Sequence, residues 1–263
     1  MSGRFVYIAF ITLLNFSIAY GQETMVDTSQ LPKYSYLIYG YAQSGNSVQA
    51  TGFFVKKKGH TYLVTASHVV NGWFFASFDK KGSYPDILFV IVGLKNTRRD
   101  TSLAIDISSL KYTKADPYSH DIYFIPIDVP SNCVTNSLES LILSFTPISK
   151  TPETILVYGF VADDQTISLQ QFKGLKPTKA IARLPDWNDY SCSPLVYEIS
   201  YTSDDLGPGD SGAPIYFITQ NNFGNKPNSD KLQFGGLLFG GDSKRHRAGV
   251  IRAELVKVLY NEL

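Results

Sequence analysis

Short runs of β-branched and aromatic residues, each ended by a cluster of Gly, Pro, Asn, Asp or Ser, recur from residue 34 almost to the end of the chain. Their regular interruption argues against a parallel sheet alternating with helices and for an antiparallel all-β fold, as barrels or a sandwich. Strands are predicted over 34–42, 48–56, 60–65, 86–92, 121–127, 154–160, 195–201, 213–218, 232–239 and 248–251. The 17 Tyr and 17 Phe, against 2 Met, agree with this reading, because aromatic rings suit a half-buried pleated surface. Only the last stretch breaks the pattern. Leu255, Val256, Leu259 and Tyr260 fall at helical spacing, which predicts an amphipathic helix over 253–263 laid on the body.

At 263 residues and 44% hydrophobic, the chain can bury a core as one large β domain or as two halves packed together. Residues 133–151, with Pro147 and several Ser and Thr, form the natural link between two halves. At the N-terminus, Arg4 precedes an apolar run from Phe5 to Ala19, and the small residues Ala19 and Gly21 sit where a leader is cleaved. Residues 1–21 are therefore expected to be a signal peptide rather than an anchor, since Asn15 and Ser17 interrupt a run already short for spanning. Residues 22–33 follow as a polar tail. The mature chain is then secreted or periplasmic, without a stable membrane anchor, where Cys133 and Cys192 either bridge or remain buried thiols. With 24 basic and 23 acidic residues there is no overall pull towards nucleic acid or an anionic surface.

Two segments carry chemistry. Gly207-Pro-Gly-Asp-Ser-Gly-Ala-Pro214 precedes an apolar strand, and its glycines at 209 and 212 let the backbone turn tightly about Ser211. The N–H groups of Gly209 and Ser211 then converge as an oxyanion hole. Taken alone, Gly-Asp-Ser-Gly also reads as an ordinary hairpin turn. The second segment, Tyr62-Leu-Val-Thr-Ala-Ser-His-Val-Val70, is an apolar strand ending in small residues that delivers His68 at its edge. A hydroxyl nucleophile needs such a base, and the base needs a carboxylate to fix its tautomer. Asp121 is preferred for that role because it opens an apolar strand, with Asp106 and Asp116 as rivals. His60, His68, His120 and His246 show no metal-ligand spacing, so neither a metal nor another cofactor is expected.

These segments resemble the trypsin-like serine peptidases of the chymotrypsin fold. Thr65-Ala-Ser-His68 is similar to the family's Thr-Ala-Ala-His, with Ser67 in place of an alanine. Asp121-Ile-Tyr-Phe-Ile125 resembles its Asp-Ile-Ala-Leu-Leu, and Gly209-Asp-Ser-Gly212 matches its nucleophile motif. Ala50-Thr-Gly-Phe-Phe-Val55 and Val157-Tyr-Gly-Phe160 look like strands of bacterial members. The resemblance implies two antiparallel six-stranded β-barrels with a C-terminal helix, the first over 34–135 and the second over 136–263. It implies a triad of His68, Asp121 and Ser211 in the cleft, acting on protein or peptide substrates through an acyl-enzyme. Asp210 becomes a structural carboxylate with an internal partner, since no Ile-Val-Gly-Gly-like start signals activation by cleavage. By family position, Asp205 lies at the base of the primary pocket and favours Arg or Lys, with Asp204 as competitor, and Gly241 and Gly249 keep the pocket open. Lys244-Arg-His-Arg247 lies between the two wall segments and favours Glu or Asp instead, or is a solvated loop. A catalytically silent binding module on the same fold is the alternative.

Overall fold

The computed structural model describes residues 28–41, 47–71, 85–108, 121–147, 154–161, 178–183, 196–201, 206–220, 230–242 and 244–263. The predicted signal peptide, Asp116, His120, Cys192, Asp204 and Asp205 lie outside the described residues.

The first half is a sheet of β1 (Tyr36–Tyr41), β2 (Ser47–Lys57), β3 (His60–Thr65), β4 (Ile87–Leu94), β5 (Asp100–Asp106) and β6 (Tyr123–Ile127) in the order β5-β4-β1-β2-β3-β6, with the short β7 (Cys133–Val134) on β4. The long β2 crosses the sheet because Phe53, Phe54 and Val55 are all buried, so both faces of the strand are covered. It turns into β3 through Lys58 (φ 51°) and Gly59 (φ 84°), the paired positive φ values of a two-residue hairpin turn. The second half is a closed barrel, β10-β13-β12-β11-β8-β9, built from β8 (Thr154–Gly159), β9 (Thr178–Arg183), β10 (Val196–Tyr201), β11 (Pro214–Gln220), β12 (Asp230–Asp242) and β13 (Arg247–Arg252).

The all-β, two-barrel expectation holds, with one refinement: the first unit is a half-barrel among the described residues. Its edges explain this. Among the described residues β5, exposed at every second position and with Ile105 alone buried, bonds only β4, while β6 bonds only β3 and carries Pro126, which has no N–H to offer a further strand.

One apolar core runs across both halves, packing Ile38, Phe53 and Leu63 with Tyr216, Phe234 and Leu237. Phe53 and Phe234 meet edge-to-face at 5.7 Å between centroids, and each buried ring contributes roughly 1.5–3 kcal/mol. A second core, including Val157, Ile199, Ile215 and Val250, fills the closed barrel.

The stretch read as a link contains β7 and a short helix α2 (Glu139–Ser144), whose Leu141 and Ile142 are buried. A 3-10 helix, Thr28–Tyr34, spans the end of the stretch read as a tail and the first residue of the strand predicted from 34, with Leu31 fully buried. The terminal helix α3 (Ala253–Glu262) buries Leu255, Val256 and Tyr260 as its periodicity predicts. Lys57, the last residue of β2, donates from Nζ to the carbonyls of Tyr260 and Asn261, at 2.6 Å each, and so ties β2 to the C-terminal end of α3. Cys133 is a buried free thiol.

Candidate active site

β3 ends at Thr65, and after Ala66 the chain enters a single helical turn, α1 (Ser67–Asn71), secured by Val69 N–H donating to Ala66 O at 3.1 Å. This turn swings His68 out of the strand direction towards the second barrel. Asp121 enters from the segment leading into β6, the strand paired to β3. Its Oδ2 lies 2.8 Å from His68 Nδ1, and its Oδ1 accepts the His68 backbone N–H and the Ser67 hydroxyl, both at 2.9 Å. Ser67, His68 and Asp121 are all buried. The rival Asp106 is exposed on β5, where the side chain and N–H of Ser108 hold its carboxyl below the usual range.

The Ser211 loop is fixed from several directions. Gly207 N–H donates to Asp210 Oδ2 at 2.8 Å, and Ala213 N–H to Asp210 O at 2.8 Å. Asp210 thus has the internal partner expected of it. Its buried carboxylate lies against Gly159, where an added Cβ would run into Asp210 Oδ1. Gly209 (φ 103°) and Gly212 (φ 90°) hold conformations that L side chains rarely adopt. At Gly212 space also excludes a side chain, since a Cβ there would strike Thr51 O and Thr65 Oγ1.

Thr51, fully buried on β2, binds this loop to the first half. Its N–H donates to Ser211 O (2.9 Å), its hydroxyl donates to Gly209 O (2.9 Å) and accepts the Phe160 N–H (2.9 Å), and its carbonyl accepts the Thr65 hydroxyl (2.8 Å). The N–H groups of Gly209 and Ser211 donate to no acceptor among the described residues.

His68 and Ser211 line one cavity of about 320 Å³, walled by Tyr201, Leu206, Pro208, Leu238, Phe239, Gly240, Gly241 and Ala248. Ser211 Oγ sits 3.5 Å from Phe239 O, on the segment where β12 bulges between Leu238 and Gly240. Gly241 lines the cavity. Gly249 instead lies under Phe239, whose ring occupies the space an added Cβ would need. In the basic run, Arg247 pairs with Glu198 at 2.8 Å, both side chains exposed, and His246 meets Tyr201 edge-on at 5.4 Å.

Ser67, Thr51, Tyr201 and Phe239 join the site without having been singled out as site residues. For Ser67 a signal existed: a hydroxyl replacing a methyl beside the base, inside an otherwise apolar run.

No family model matches the chain, and no curated protein matches it in sequence. Solved structures do. Deg5 matches at 13% identity over 87% of this chain and 87% of its own, with a TM-score of 0.50. The thermostable serine protease AL20 from an extremophilic microorganism matches at 12% over 88% and 97%, and the protease Anisep from Arthrobacter nicotinovorans at 13% over 88% and 96%, each with a TM-score of 0.48. The closed barrel, the half-barrel beside it and the terminal helix follow the chymotrypsin-like plan that the Deg5 match supports. By architecture, the chain has the chymotrypsin fold of the serine proteases.

Proposed function

We propose that the chain is a serine endopeptidase that hydrolyses peptide bonds through an acyl-enzyme, with Ser211 as nucleophile, His68 as base and Asp121 as orienting carboxylate. The observation that carries this reading is the buried Asp121 carboxylate 2.8 Å from Nδ1 of His68, which itself lines one cavity together with Ser211. With its proton held on Nδ1, the imidazole keeps the Nε2 lone pair for the serine proton. As Ser211 Oγ bonds to the scissile carbonyl carbon, His68 takes the hydroxyl proton, and the Gly209 and Ser211 N–H groups stabilise the oxygen that gains the charge. The proton then passes to the leaving amine as the C–N bond breaks. Water, deprotonated by the same base, releases the acid and restores the hydroxyl.

The substrate is a protein or peptide, and neither nucleic acid nor a membrane takes part. Residues 34–135 supply the base and its carboxylate, and residues 136–263 the nucleophile and the pocket. The apolar run before Gly21 makes the protein secreted or periplasmic. Asp205 would select Arg or Lys and the Lys244–Arg247 run Glu or Asp, so a peptide library read with and without Asp205→Ser separates the two. A catalytically silent binding module has no specific observation in its favour.

The test is peptide hydrolysis by two variants. Asp121→Asn should reduce kcat by about 10⁴-fold through the wrong imidazole tautomer, as in the best-studied triads, while Asp106→Asn leaves it unchanged. Equal effects of the two substitutions would refute the assignment.

A further inference from the structure

Ser67 is fully buried at the start of α1, and its hydroxyl needs an acceptor there. A serine in the first turn of a helix ordinarily bonds nearby backbone. This one crosses to a carboxylate 54 residues away in sequence and donates to Asp121 Oδ1 at 2.9 Å. The same oxygen accepts the His68 backbone N–H at 2.9 Å, while Oδ2 faces His68 Nδ1 at 2.8 Å. Rotating the carboxylate about its Cβ–Cγ bond would break both bonds to Oδ1 at once, so its plane is pinned and Oδ2 stays aimed at the imidazole.

From this geometry we infer that Ser67 is a positioning residue of the active site: its hydroxyl orients Asp121, which in turn orients His68. The inference rests on reading His68 as base and Asp121 as its carboxylate. Ser67 touches neither the substrate nor the reacting atoms, and its effect passes through the Asp121–His68 contact. Without the hydroxyl, a single backbone N–H holds Oδ1, and the carboxylate swings away from the line to Nδ1. The imidazole then spends less time with Nε2 directed at Ser211. Substrate binding, which depends on the cavity walls rather than on this carboxylate, is unaffected. A threonine at position 67 retains the donor.

The experiment compares wild type, Ser67→Ala and Ser67→Thr by steady-state peptide hydrolysis and by proton NMR of the His68 Nδ1–H. Ser67→Ala should lower kcat by about tenfold, the factor that corresponds to one weakened charge-assisted hydrogen bond, with KM unchanged to within about twofold. The Nδ1–H should exchange with water roughly tenfold faster in the same variant, and Ser67→Thr should restore both readings. A merely structural role would give equal losses in Ala and Thr variants, or a change in KM with kcat retained. Either result overturns the inference, as does an Nδ1–H signal indifferent to Ser67→Ala. The NMR arm needs no turnover. If the wild-type protein cleaves no peptide and takes no serine-directed label, the peptidase reading fails, while the Nδ1–H response still decides the part played by Ser67.

Discussion

Replacing Thr51 with valine removes one hydroxyl and changes little else in shape. That hydroxyl makes two buried hydrogen bonds at 2.9 Å, to Gly209 O and from the Phe160 N–H, while the Thr51 N–H to Ser211 O and the Thr65 hydroxyl to Thr51 O survive the substitution. Losing the bond to Gly209 O costs about 1 kcal/mol, since that carbonyl keeps a second lone pair, while leaving the buried Phe160 N–H unsatisfied costs about 1–3 kcal/mol. A total of about 2–4 kcal/mol follows, against a typical domain stability of about 5–15 kcal/mol. In urea, with a slope of about 2 kcal/mol/M, the unfolding midpoint should fall by roughly 1–2 M, and Thr51→Ser should recover most of it. Because Gly209 O belongs to the peptide that joins Gly209 to Asp210, its release also loosens the turn that aims the Gly209 N–H. Catalysis should therefore suffer in kcat more than in KM at concentrations of urea where the variant is fully folded. A midpoint for Thr51→Val within about 0.3 M of wild type would refute the view that this hydroxyl clamps the loop.

Three other substitutions probe the same frame. Gly212→Ala combines a φ of 90° with collisions against Thr51 O and Thr65 Oγ1, so the Ser211 loop must shift; stability should drop by about 3 kcal/mol or more and serine labelling should be lost. Gly249→Ala would drive a methyl into the Phe239 ring, next to the carbonyl that meets Ser211 Oγ; turnover should fall although no pocket-lining side chain has changed. Lys57→Met removes both bonds to the carbonyls of Tyr260 and Asn261, and amide exchange in the last turn of α3 should become several-fold faster, by roughly the loss of a helix-end cation, with the core amides unaffected.

The strands that were legible are those whose residues are apolar on at least one full face. His60–Thr65 was read at its observed ends, and Tyr36–Tyr41, Thr154–Gly159 and Val196–Tyr201 within a residue or two. β5 and β9 were not legible. Asp-Thr-Ser-Leu-Ala-Ile-Asp106 reads as turn residues because half of an edge strand faces water, and Thr-Lys-Ala-Ile-Ala-Arg183 has little intrinsic strand preference and is held by its register with β8 and β10. α1 and α2, at 5 and 6 residues, are too short to display a helical period. In the site, His68 and Ser211 stood out because the turn and strand-end residues around them are local features. Burial distinguishes Asp121 from Asp106, and burial follows from where β6 lies beside β3, which local sequence does not encode. The bonds from Ser67 to Asp121 and from Thr51 to Gly209 span 54 and 158 residues, so nothing near either hydroxyl discloses its partner.

The most direct test of the account is labelling of the folded protein with a fluorophosphonate probe, which reacts only with an activated serine. The account predicts labelling of the native chain, and none of Ser211→Ala or His68→Ala. A native protein that unfolds cooperatively yet takes no label, or a Ser211→Ala variant that is still labelled, would contradict it.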